Sequence, residues 1–149
     1  DKPLIHIPTV DAIACNLWGH QSLICPLMDA RRNQTYTGLY RFDGNQMEII
    51  KPQCAVGIDE IIAEVNKLGQ AVVFLGDGVA VFETYSHENC TVPYTFAPAH
   101  VNKQRAGAVA ALGEIYYTEG KTETAEEHKP DYLRLSQAER ERLEGEQKK

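Results

Sequence analysis

Apolar residues at Val10, Ile13, Ala14, Leu17 and Trp18 recur at the spacing of one helical face. Thr9, just before them, has the hydroxyl an N-cap needs, and Gly19 is placed to stop the helix. The period then changes to two. Leu23-Ile24-Cys25-Pro26-Leu27-Met28 is a continuous apolar run that ends in the charged turn Asp29-Ala30-Arg31-Arg32-Asn33. In the segment that follows, Tyr36, Gly38, Tyr40 and Phe42 share one strand face, while Thr35, Thr37, Leu39 and Arg41 share the other. A third run, Met47-Glu48-Ile49-Ile50, comes after the turn pair Gly44-Asn45, which predicts three consecutive strands joined by short turns.

Helical spacing returns with Ile58, Ile61, Ile62 and Val65, closed by Gly69. Ala71-Val72-Val73-Phe74-Leu75 is short, β-branched and uniformly apolar, as a strand buried on both faces should be. Gly76-Asp77-Gly78 turns it into a short helix around Val81, Phe82 and Tyr85, and a weak strand is expected at Thr91-Val92-Pro93-Tyr94. A last helix, from about Asn102 to Tyr117, is kept thin by small residues, which suits close packing on a sheet. Thr118 to Lys129 lacks any large apolar residue and reads as a solvated loop, after which Tyr132, Leu133 and Leu135 return to the body. The order helix–β–β–β–α–β–α–β–α predicts an α/β fold, a mixed sheet with helices packed on it.

Composition sets outer bounds on this picture. With 149 residues, 43% apolar and 24% charged, the chain is one ordinary globular domain by size. Its net charge of -6 argues against strong, direct nucleic-acid binding, because affinity for a phosphate backbone comes from clustered Lys and Arg. No apolar span long enough for a membrane and no signal peptide is visible, so cytoplasm is the expected compartment. Asn33-Gln34-Thr35 and Asn89-Cys90-Thr91 match a glycosylation pattern that has meaning only in a secreted protein.

Catalytic signatures are sparse. There is no Gly-x-Ser-x-Gly elbow, no His-Glu-x-x-His and no Walker loop. The four cysteines (Cys15, Cys25, Cys54, Cys90) form no Cys-x-x-Cys pair, and the five histidines (His6, His20, His87, His100, His128) fall in five separate segments. No metal and no cofactor is therefore expected.

Four words stand in order along the chain. They are Lys2-Pro3-Leu4-Ile5 with Pro8-Thr9-Val10-Asp11-Ala12-Ile13-Ala14, then Asp29-Ala30-Arg31-Arg32 with Tyr36 and Leu39-Tyr40, then Leu75-Gly76-Asp77-Gly78, then Pro130-Asp131-Tyr132-Leu133-Arg134-Leu135-Ser136-Gln137-Ala138-Glu139. Together they resemble the TsaB (YeaZ) family, the non-catalytic, actin-like subunits of the bacterial machinery that makes threonylcarbamoyladenosine in tRNA. The resemblance implies an actin-like, ribonuclease-H-like subdomain, and it covers only the latter part of the family pattern. On that reading residues 1–20 are a connecting helix from an N-terminal domain, 21–135 the C-terminal actin-like subdomain, and 136–149 a charged tail. Eight of the fourteen residues of that tail are charged. The implied partners are a TsaD-type transferase and a TsaE-type ATPase, engaged through the full-length protein, and the implied role is that of a scaffold rather than an enzyme. The alternative is half of an actin-like nucleotide-binding kinase; a glycoprotease-type peptidase is disfavoured by the absence of a nucleophile–base pair.

Two polar groups are candidates for a nucleotide or interdomain cleft. Asp29 with Arg31 and Arg32 either faces a cleft or closes a turn in which Asp29 accepts from backbone N–H groups. Gly76, Asp77 and Gly78 sit where a buried strand opens into a helix, an edge that favours ligands, although the acidic Asp77 would repel phosphate. The other role of such a turn is simply to reverse the chain. Trp18, Tyr36 and Tyr40 are the candidate interface residues, on the expectation that an isolated subdomain exposes an apolar face and forms a homo-oligomer through it.

Overall fold

The computed structural model describes residues 2–44 and 46–134, so the turn residue Asn45, Leu135 and the tail 136–149 lie outside the described residues. The elements are α1 (Thr9–Cys15), β1 (Leu23–Asp29), β2 (Gln34–Asp43), β3 (Gln46–Gly57), α2 (Ile58–Leu68), β4 (Val72–Leu75), α3 (Val79–Asn89), β5 (Tyr94–Phe96) and α4 (Ala106–Thr118). One five-stranded sheet runs in the order β3-β2-β1-β4-β5. The first three strands are antiparallel, with Ile24 opposite Tyr40 and Met28 opposite Tyr36. Both later strands are parallel, β4 to β1 and β5 to β4, each reached by a helical crossover.

The period of two holds across the sheet. Leu23, Cys25, Leu27, Leu39, Val72 and Phe74 face α2 and α3, where they meet Ile58, Ile61, Ile62, Val65 and Phe82. Ile24, Tyr40, Phe42, Val73 and Leu75 face the other way, onto Val10, Ile13 and Ala14 of α1. Each Val, Leu, Ile or Phe among them taken fully out of water contributes about 1.5–3 kcal/mol. A third cluster joins Cys15 to Leu112 and Tyr116 of α4, with Ile5 and Ile7 packed against it.

Several boundaries differ from the sequence expectation, each for a physical reason. Thr9 is the first helical residue and not the N-cap; Pro8, at φ -57 and ψ 132, supplies the extended entry. The helix stops at Cys15 rather than Trp18, and the N–H groups of Asn16, Leu17 and Trp18 bond three residues back, a tightened exit that ends in Gly19 at φ 78. Strand β3 runs on to Gly57, through Pro52. It lies at the sheet edge, and its pairing with β2 slips on either side of Leu39, where Thr37 opposes Cys54, Leu39 opposes Lys51 and Tyr40 opposes Ile49. An edge and a bulge are the places a sheet tolerates proline. The fifth strand forms at Tyr94–Phe96, just past Pro93. Helix α4 starts at Ala106, and it packs on α1, on the N-terminal segment and on Met47 of the sheet-edge strand β3; a Cβ on Gly113 would lie 3.0 Å from the Ile7 side chain.

Candidate functional site

The two polar groups singled out in the sequence come together at one end of the sheet, because β1 and β4 are parallel and Pro26 is opposite Leu75. There Arg31, Arg32 and Asn33 occupy the left-handed region at φ 65, 55 and 57, three consecutive non-glycine residues in a conformation that L side chains rarely adopt. Asp29 sustains the turn from inside. Its Oδ1 accepts from the Arg31 N–H at 2.8 Å, and its Oδ2 lies 3.2 Å from the Arg31 guanidinium.

The neighbouring Gly76-Asp77-Gly78 turn is pressed against β1. Gly76 sits at φ 113, and a Cβ there would collide with the Leu27 carbonyl, as would one on Gly78. The Gly76 N–H donates to Asn102, to its side-chain oxygen at 2.8 Å and its carbonyl at 3.0 Å. The Gly78 N–H donates to the Leu27 carbonyl at 2.9 Å, while Asp77 is exposed. Two of the N–H groups that could cradle a phosphate are thus already donated within the protein.

The three candidate interface residues do not form one surface. Tyr40 is fully buried, between Ile24, Phe42 and α1, so its place in an exposed interface is corrected: its hydroxyl bonds within the core. Trp18 is partly exposed, with its ring 4.9 Å from that of Phe42, and it lines a cleft with Met47 and Leu112. Tyr36 is half-buried in a different cleft, beside Met28 and Leu133. The Pro130–Arg134 word crosses back over the sheet. Gln53 donates to Asp131 at 2.7 Å and Arg134 donates to the Ala30 carbonyl, while Tyr132 remains 83% exposed instead of returning to the body.

Sequence reasoning missed the central polar joint. Asp11 of α1 is only 4% exposed, and its carboxylate accepts from the Tyr40 hydroxyl at 2.6 Å and the Tyr116 hydroxyl at 3.0 Å. One carboxylate therefore ties α1 to β2 and α4. Burial pushes the Asp11 carboxyl above its usual range, while the two tyrosine bonds and the Lys121 charge pull the other way. Burial likewise pushes both phenols up, reinforced by the Asp11 charge. The signal was present in the run Val10-Asp11-Ala12-Ile13-Ala14, a charge inside an otherwise apolar helix.

Beside this joint an open cavity of about 460 Å³ is lined by His6, Gln53, Tyr116, Lys121, Glu123 and Asp131, among others. Lys121 lies 4.3 Å above the Tyr116 ring and pairs with Glu119 at 2.7 Å. At the rim, two histidines that the sequence keeps far apart meet over Glu123: His128 Nδ1 is 2.7 Å from Glu123 Oε1, and His6 Nδ1 is 4.0 Å from it. The cysteines are free; burial raises the Cys25 thiol to about 12, and Cys25 contacts Thr37 in the core.

Comparison with known proteins places this geometry. Residues 1–142 match the family model for TsaD, tRNA N6-adenosine threonylcarbamoyltransferase. The tRNA threonylcarbamoyladenosine biosynthesis protein TsaB of Bacillus subtilis (strain 168) is 28% identical over 141 residues, 93% of this chain and 59% of that protein. The chain belongs to the family that this TsaD model describes, and a TsaB protein is among its relatives. Two solved structures from Pseudomonas aeruginosa share the fold of this chain, each with a TM-score of 0.66. One is YeaZ, 15% identical and covering 88% of this chain; the other, an uncharacterized protein with similarity to peptidase YEAZ, is 16% identical and covers 89%. The sheet and its helices are thus the actin-like, ribonuclease-H-like α/β fold. The chain spans 59% of the length of the curated relative and 60% of each solved chain. Among the described residues no helix is long and apolar enough to cross a membrane.

Proposed function

We propose that this chain serves, in the cytoplasm, as a non-catalytic scaffold in the formation of threonylcarbamoyladenosine in tRNA, working with a TsaD-type transferase and a TsaE-type ATPase. The family match over residues 1–142, with the similarity to a protein named for that biosynthesis, supports the pathway, and the scaffold role within it is our own reading. The condition of the polar groups fits a supporting role. Asp11 is engaged by two tyrosines, Asp29 by its own turn, and the Gly76 and Gly78 N–H groups by protein oxygens. A kinase half would call on such N–H groups to hold phosphate.

Reconstitution of tRNA modification from purified components tests the proposal, with the full-length protein carrying this chain added or withheld. Omitting it lowers the yield of modified nucleoside. Asp11→Asn, Asp29→Asn and Asp77→Asn variants that still co-purify with the transferase keep their support of turnover. A variant that stays in the complex yet loses the roughly 100-fold or more that removal of a general acid or base brings would overturn the scaffold reading.

A further inference from the structure

We propose that His6, Glu123 and His128 form a binding site for a divalent transition-metal cation, Zn²⁺ above all, that clips the N-terminal segment to the loop after α4. The three side chains come from opposite ends of the described chain, and one ligand atom from each lies within 4.8 Å of the other two. The imidazole ring centroids are 5.5 Å apart and tilted by 60°, so the rings flank one carboxylate instead of stacking. A tetrahedral zinc with bonds of about 2.0–2.1 Å holds its donor atoms roughly 3.3 Å apart. The separations from Glu123 Oε1, 2.7 Å to His128 Nδ1 and 4.0 Å to His6 Nδ1, bracket that value, so small side-chain rotations bring all three donors to bonding distance.

The donor chemistry selects the metal. Two imidazole nitrogens and one carboxylate oxygen suit zinc and its neighbours, whereas calcium and magnesium take oxygen sets. A simple ion pair accounts for one histidine beside Glu123; it gives no reason for the second imidazole, from residue 6, to converge on the same oxygen. The backbone beneath is already braced. Leu4 and Glu123 exchange two hydrogen bonds, at 2.8 and 3.0 Å, in an isolated antiparallel bridge. The His128 N–H donates to the Thr124 carbonyl at 3.1 Å, and Glu127 folds back onto Thr124. Ligand-bearing backbone fixed in this way reduces the ordering cost of binding. The side chains are 36% (His6), 26% (Glu123) and 41% (His128) exposed, leaving solvent access for a water as fourth ligand.

Calorimetric titration of the metal-free full chain with ZnCl₂, and with CoCl₂ as a spectroscopic substitute, decides the matter. The expected result is one zinc per chain, a tetrahedral cobalt absorption band, and a rise in melting temperature on adding zinc. His6→Ala, His128→Ala and Glu123→Gln each lose at least the roughly 10–100-fold that even an outer-shell partner commands. His20→Ala and His87→Ala leave binding unchanged. Because the liganding side chains are partly exposed, their variants keep the metal-free melting temperature, which separates lost ligation from lost folding. Failure of the parent chain to take up zinc stoichiometrically, or equal weakening by the His20 and His87 substitutions, would overturn the proposal.

Discussion

Asp11 is the residue on which the packing turns, because its two oxygens tie its own helix to two further elements. Truncation to Ala leaves the Tyr40 hydroxyl buried without its acceptor, at a cost of about 1–3 kcal/mol. The acid-base behaviour is more specific. Burial holds the Asp11 carboxyl above its ordinary value of 3.8, so the folded chain keeps this proton to a higher pH than the unfolded chain does. Between 3.8 and the raised folded value the native state binds more protons, and stability from this group falls as pH rises. Asp11→Asn, whose amide does not titrate, removes that slope. Urea midpoints for the two chains across about pH 4 to 7 should show the parent losing ground to Asp11→Asn as pH increases. A difference that stays constant across that range would mean the carboxyl is not raised.

Among the elements, the two turns at the sheet end depend on backbone space and not on side-chain chemistry. Gly76→Ala forces a Cβ into the Leu27 carbonyl at a φ of 113 and should destabilise the chain by about 3 kcal/mol or more. Gly107 offers the opposite case. It lies in the first turn of α4 with open space around it, and Gly107→Ala should stabilise by about 0.5–1 kcal/mol. Thermal melts of both variants check the contrast in sign. What could be read beforehand follows the same physics. The alternation through β1, β2 and β4, and the stripe of α2, were legible because burial imposes a period on the sequence. The end of α1, the length of β3 and the start of α4 were not, since they depend on Asn16 reaching the Val101 carbonyl, on a bulge beside Pro52 and on Asn102 turning back to Gly76. The pairing of His6 with His128 was invisible for a related reason: the Leu4–Glu123 bridge that brings them together spans almost the whole described chain.

For the molecule as a whole, charge bounds what it can grip. A net charge of -6, with Arg31-Arg32 and the terminal Lys148-Lys149 as its local basic pairs, gives few phosphate contacts and little counterion release. The isolated chain should bind tRNA weakly, and filter-binding affinity should collapse as salt rises. A tight, salt-resistant complex without partner proteins would contradict this.

The joint at Asp11 also sets the order in which the chain can finish folding. A seven-residue helix does not hold itself in water, so α1 becomes a helix only when its partners exist. Those partners are far downstream: the Tyr40 hydroxyl comes 29 residues later and the Tyr116 hydroxyl 105 residues later. At a ribosomal pace of about 5–20 residues per second, α1 waits roughly 5 to 20 seconds for its second tyrosine. Until then Asp11 remains hydrated, and its charge discourages the apolar face of α1 from settling elsewhere. Helix α1 is therefore sealed only after α4, which carries Tyr116, has been made.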